Sequence, residues 1–236
     1  MPDLKEIIPI SCKETLEDIV SELKVYYQDN LADIMLAGST GKGYFIDNWS
    51  DLDLYIITYQ DDPFTNIKLL NILNKKNYPI HIGTTFYKLD NFLNLKVDTK
   101  TYITLYEKYY LKKVHPLLLE NINLNDINKP SYNEIKKYAK KDIYNTFQVV
   151  LRETYKYMNN EENKKTLLKK LTILLKEYLN IRNIFTYHYK MVFDEFNVQM
   201  NIKFDIMDII LSKRNKEDFL EYIFLILNKI NIEMEK

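Results

Sequence analysis

The spacing of apolar residues changes along the chain, and each change marks an element. Leu16, Ile19, Val20, Leu23 and Tyr27 recur at helical intervals, and Ser11 with Glu14 is a capping-box pattern, so a first helix is expected from about 12 to 29. From about Ala32 the period shortens to two. Ala32, Ile34 and Leu36 lead into Gly38-Ser39, and Asp51 and Asp53 alternate with Leu52 and Leu54 ahead of Tyr55-Ile56-Ile57, as two strands would. Gln60-Asp61-Asp62-Pro63 reads as a turn. Ile67, Leu70, Ile72 and Leu73 mark a second helix, and the β-branched and aromatic run Ile80 to Tyr87 reads as a third core strand.

The next stretch is less regular. Asp90-Asn91-Phe92-Leu93 suggests a short helix, with Asp90 as its N-cap. Thr101 to Leu111 fits either strand or helix, and His115-Pro116, a turn, ends it. The Asn-rich run from Asn121 to Lys129, closed by Pro130, marks the expected boundary between domains 1–125 and 126–236. Beyond it only helical spacing remains. Ser131 and Glu134 repeat the capping box, and Ile135, Ala139, Ile143, Phe147, Val150 and Tyr155 trace a stripe to about Met158. Leu167, Leu168, Leu171, Leu174, Leu175 and Leu179 give a second long helix. Two more are expected at about 204–213 and 216–234, which makes the second half a helical bundle.

Composition removes several classes of function. Across 236 residues, 33 Lys and Arg balance 33 Asp and Glu, so no net field draws the protein toward nucleic acid or an anionic membrane. The single cysteine, Cys12, cannot form an internal disulfide, and no apolar run reaches 18 residues. A cytoplasmic protein is expected, with no nucleic-acid partner and no membrane association. Only four glycines and six prolines interrupt a chain suited to helices.

The chemistry concentrates between residues 36 and 57. Period two sends Asp51 and Asp53 to one face of a strand, where two like charges need a cation or a proton between them. Mg²⁺ accepts one or two carboxylates completed by water and phosphate oxygens. Gly38 lets the backbone approach a phosphate closely, and Ser39 adds a hydroxyl. Gly38-Ser39, a spacer from Thr40 to Ser50 and Asp51-Leu52-Asp53 together resemble the signature of the DNA polymerase β-like nucleotidyltransferases. The resemblance covers roughly the first 90 residues, and the added helices are similar to the layout of bacterial aminoglycoside and lincosamide nucleotidyltransferases.

That resemblance implies an α+β fold, a nucleotidyltransferase core with a small mixed sheet and flanking helices, followed by a helical domain that binds the acceptor. It implies Mg²⁺ on Asp51 and Asp53, a nucleoside triphosphate, ATP favoured, near Gly38, Ser39, Thr40 and Lys42, and transfer of AMP to a hydroxyl of a small polar acceptor such as an antibiotic. Lys42 reads equally as a solvated loop lysine. The family usually carries a third acid on the next core strand, and Pro79 to Tyr87 has none. His81 stands near that place, as a general base or metal ligand or as a strand histidine without chemistry. The alternatives are a nucleotidyltransferase acting on a protein or RNA end in a toxin–antitoxin setting, and a non-catalytic binding protein of the same fold. Arg182 to His188 also fits the loose Arg-x4-6-His pattern of HEPN ribonucleases.

Overall fold

The computed structural model describes residues 10–46, 49–210 and 215–234. The Ser11 side chain and residues 211–213 of an expected helix lie outside what is described. The backbone forms two compact units, 1–131 and 132–236.

In the first unit α1 (Ile10–Tyr27) precedes β1 (Leu31–Ala37) and β2 (Leu52–Thr58), and α2 (Pro63–Lys75) crosses back to β3 (Ile82–Lys88). The short α3 (Leu89–Leu93) and α4 (Thr99–Leu111) follow. The sheet order is β1-β2-β3, with β1 antiparallel and β3 parallel to the central β2. This is the small mixed sheet expected of the α+β fold. A parallel neighbour requires a crossover, and α2 supplies it.

Every residue of β1 is buried, because both faces of the sheet are covered. Ile34, Leu36, Leu52, Leu54 and Ile56 pack with Leu16, Ile19 and Leu23 of α1 and Leu69 and Leu73 of α2. Alternation sends Met35, Ala37, Tyr55 and Ile57 to the other face, against Phe92 of α3 and Leu105 of α4. Asp53 therefore emerges on the α3–α4 side.

Beyond α4 the chain returns to run beside β1. Leu36 N–H donates to the Pro116 carbonyl (3.0 Å) and Leu118 N–H to that of Ile34 (2.8 Å). Asp33, wholly buried, fastens this segment by accepting from the N–H groups of Ile34 (2.7 Å), Leu119 (3.1 Å), Asn121 (2.9 Å) and Ile122 (3.1 Å). Burial raises its pKa above the ordinary carboxylate value, against the opposite pull of those four donors.

The ambiguous run 101–111 is helical. Asp98 caps α4 by accepting from Thr101 N–H (2.9 Å), and Thr101, Thr104 and Leu105 are buried at helical spacing. Asp90 is not an N-cap. It lies in the first turn of α3, whose cap position is Lys88, and its carboxylate accepts from the Asn94 side chain (3.1 Å).

The second unit is helical throughout its regular elements: α5 (Tyr132–Asn159), α6 (Lys164–Ile181), α7 (Tyr189–Met200), α8 (Ile206–Ile210) and α9 (Lys216–Met234). The α5 stripe Ile135, Ala139, Ile143, Phe147 and Val150 and the α6 stripe Leu167, Leu171, Leu174 and Tyr178 are buried. The α7 helix lacks the usual sequence signals because its N-cap is His188, whose Nδ1 accepts from Met191 N–H (3.4 Å). No helix among the described residues is long and apolar enough to cross a membrane.

Candidate functional site

One end of the β1–β2 pair gathers most of the residues singled out by sequence. At the end of β1, Gly38 adopts φ +63°, a conformation that favours glycine, and turns the chain away from the sheet. Asp53 lies in register with Ala37 on one side and Gly83 on the other. A Cβ on Gly38 would collide with Asp53 Oδ2, and one on Gly83 would come within 2.7 Å of Oδ1. The Asp53 carboxylate thus occupies a slot walled by two glycines. Asp51 stands just before β2, where Leu52 N–H donates to the His81 carbonyl (2.9 Å).

The Gly-Ser loop is laced to the segment that carries Asp51. The Ser39 hydroxyl donates to Ser50 Oγ (3.1 Å), which also accepts from Ile46 N–H (2.9 Å), and the Thr40 hydroxyl donates to the Asp51 carbonyl (2.8 Å). These bonds hold Gly38, Ser39 and Thr40 beside the acids. His81 sits immediately before β3 with its side chain 77% exposed and Nδ1 4.0 Å from Asp51 Oδ2. The sequence pattern had put it inside the strand.

Lys42 turns to a different partner. Its ammonium lies 2.8 Å from Glu107 Oε2, and His115 Nε2 lies 2.8 Å from the same oxygen. Glu107 is 1% exposed and His115 fully buried, so three charged or titratable groups form one network beneath the loop. His115 is more than a turn residue: its φ is +52°, and its N–H donates to the Gly41 carbonyl. Among the described residues, Lys100 of α4 places a cation beside the acids, with Nζ 3.4 Å from Asp53 Oδ1. Burial opposes the charge on Lys100, but Asp53, Tyr55 and Asp98 together tip the balance and raise its pKa.

Gly83, Lys100 and Glu107 had escaped the sequence reading. A lone glycine inside a strand is a recognised sign of close backbone or side-chain approach and could have exposed Gly83. The two α4 residues carried no local signal. In the second unit Arg182 and His188 share no helix. Arg182 ends α6, stacks over Tyr178 (4.3 Å) and pairs with Glu233, whereas His188 caps α7.

The donor set was tested against a divalent cation. Among the described residues no group of three or more His, Cys, Asp or Glu side chains could enclose a metal ion. Two carboxylates separated by one strand residue, with glycines keeping one of them uncrowded, do suit Mg²⁺ that takes its remaining ligands from water and phosphate. The residues present fit an ion bound together with substrate.

No protein family and no curated protein matches the sequence. Among solved structures, a spectinomycin adenyltransferase from Enterococcus faecialis, determined with ATP and spectinomycin, superposes with a TM-score of 0.58, covering 92% of this chain and 89% of that one at 10% identity. The two proteins share a fold. At that identity the likeness concerns backbone architecture alone.

Proposed function

We propose that the chain is a divalent-metal-dependent nucleotidyltransferase that transfers a nucleoside monophosphate, AMP from ATP, to a hydroxyl of a small polar acceptor such as an aminoglycoside or related antibiotic. The observation that carries this reading is the Asp53 carboxylate, set between Gly38 and Gly83, with Asp51 next to it and the Gly-Ser loop tied alongside. Asp51 and Asp53 would hold Mg²⁺. When bound, the ion would neutralise charge that develops on phosphate oxygens.

The protein's own part is positioning. Gly38, Ser39 and Thr40 would receive the phosphates beside the Asp53 carboxylate. His81, exposed and near Asp51, would take the proton from the acceptor hydroxyl, the task the family usually gives to an acid on this strand. The helical unit would select the acceptor. The reading draws support from the shared fold with an adenyltransferase solved with ATP and an antibiotic.

The test is transfer of label from α-labelled nucleoside triphosphates across a panel of aminoglycosides, spectinomycin and lincosamides with Mg²⁺ present. Labelled adduct on one acceptor, absent with Asp53→Asn, is expected. A second reading, a nucleotide binder without catalysis, is favoured by the lack of any acid in β3. It would be adopted if ATP bound with Mg²⁺ but no acceptor, protein or RNA end received label.

A further inference from the structure

Two of the lysines that meet carboxylates in the first unit, Lys42 and Lys100, do so differently. Lys42 is 13% exposed and holds Glu107 at 2.8 Å, a tight charge-assisted distance. Lys100 is 65% exposed and stands 3.4 Å from Asp53 Oδ1, looser than such bonds prefer.

The backbone beneath Lys100 is nonetheless fixed. Asp98 caps α4 through Thr101 N–H (2.9 Å) and also accepts from Tyr87 of β3, whose hydroxyl meets Thr101 Oγ1 (2.7 Å). The Thr104 hydroxyl bonds the Lys100 carbonyl (3.0 Å) and meets the hydroxyl of Tyr55 on β2 (3.3 Å). A mobile four-carbon stem therefore starts from a root tied to both strands that flank the candidate site.

An ammonium and a divalent ion compete for one carboxylate, because like charges at that range repel. An exposed ion pair is weak and costs little to leave. A bound nucleotide would offer its phosphate oxygens to a displaced ammonium. We propose that Lys100 is an exchangeable counter-ion: it balances Asp53 before loading and passes to the phosphates of the nucleotide when the divalent ion takes that carboxylate. This rests on the nucleotidyltransferase reading and names the phosphate-binding cation of its site.

The exchange predicts effects of opposite sign from one substitution. Calorimetric titration of Mn²⁺ into nucleotide-free protein should show Lys100→Ala binding roughly two- to fivefold more tightly than wild type, the size of an exposed ion pair removed, with the gain shrinking in high salt. ATP affinity in saturating Mn²⁺ should fall roughly tenfold or more, the scale of one charge-assisted contact, and Lys100→Arg should recover most of it. Unchanged or weaker Mn²⁺ binding by Lys100→Ala, or unchanged ATP affinity, overturns the exchange. Asp53→Asn separates this failure from a deeper one. If Asp53→Asn loses Mn²⁺ affinity while Lys100→Ala changes nothing, only the exchange is wrong. If Asp53→Asn binds Mn²⁺ as wild type does, the metal site and the exchange fall together.

Discussion

The two ends of the β1–β2 pair each carry a buried or half-buried aspartate, and they use it in opposite ways. At one end Asp33 is sealed from solvent and accepts from four backbone N–H groups. At the other, Asp53 is partly exposed and walled by glycines that offer no side chain, and it faces the flexible Lys100. A carboxylate whose lone pairs are filled by backbone donors organises chain and has little left to give a ligand. One kept uncrowded at the end of a rigid strand is available for chemistry. The contrast sets an acid used up by backbone donors beside one left open to a ligand within a single three-stranded sheet.

The sharpest way to break that contrast is to neutralise each acid in turn. Asp53→Asn and Asp51→Asn are each expected to lower nucleotidyl transfer by about 10³-fold or more while moving the melting temperature by no more than about 3 °C, measured by label transfer and calorimetry. A large loss of stability at Asp53 would make it the same kind of residue as Asp33. Crowding the slot should have the next largest effect. Gly38→Ala, strained at its positive φ and driven into Asp53 Oδ2, should cost roughly 10- to 100-fold in turnover and about 1 kcal/mol of stability. Gly83→Ala should lower turnover less, because Gly83 lacks the positive φ of Gly38 and its Cβ would approach Asp53 Oδ1 less closely, at 2.7 Å.

Asp33→Asn should do the converse. An amide turns an N–H₂ group toward backbone donors, so denaturant unfolding should show a loss of about 1–3 kcal/mol, with turnover per folded molecule nearly unchanged. An effect confined to high pH concerns a fourth carboxylate, in the helical unit. Glu177 accepts from Thr146 (3.0 Å), its Oε2 has no hydrogen-bond partner among the described residues, and burial, reinforced by Asp142, pushes its pKa up to about 8. Between its ordinary value of 4.5 and about 8 the folded state keeps a proton that the unfolded state releases. Its contribution to stability is therefore full below that window, falls as pH rises through it and is flat above. Glu177→Gln should remove this slope and leave the protein about 1–3 kcal/mol more stable than wild type at pH 9, allowing for its partial exposure. Parallel pH profiles of the two proteins would refute it.

The mixed sheet could be read from the sequence because alternation over Ala32 to Leu36 and Leu52 to Ile57 is a local property of the chain. Gly38, Asp51 and Asp53 were legible for the same reason. The start of β3 was misplaced because Ile80 and His81 continue a β-like composition ahead of the regular pairing, which begins at Ile82. Helix α7 was missed because a histidine caps it and its apolar stripe is short. Glu107 and Lys100 stayed invisible because their meaning comes from partners 65 and 47 residues away, which no spacing rule reaches. Lys42 shows the same limit: its neighbours in sequence suggest phosphate, while its neighbour in space is Glu107.

The network below the Gly-Ser loop bears on transplantation. Residues 38–43 look like a short, portable cassette, but Lys42 belongs to a set whose other members, Glu107 and His115, are eight residues apart at a distant point of the chain. A graft of the loop alone would carry a lysine without its carboxylate and leave behind a buried acid without its ammonium, a deletion that in folded proteins costs about 3–5 kcal/mol. The smallest piece that can be exchanged between related scaffolds is therefore the loop, the α4 helix and the strand-like return at His115, moved as one inheritance unit.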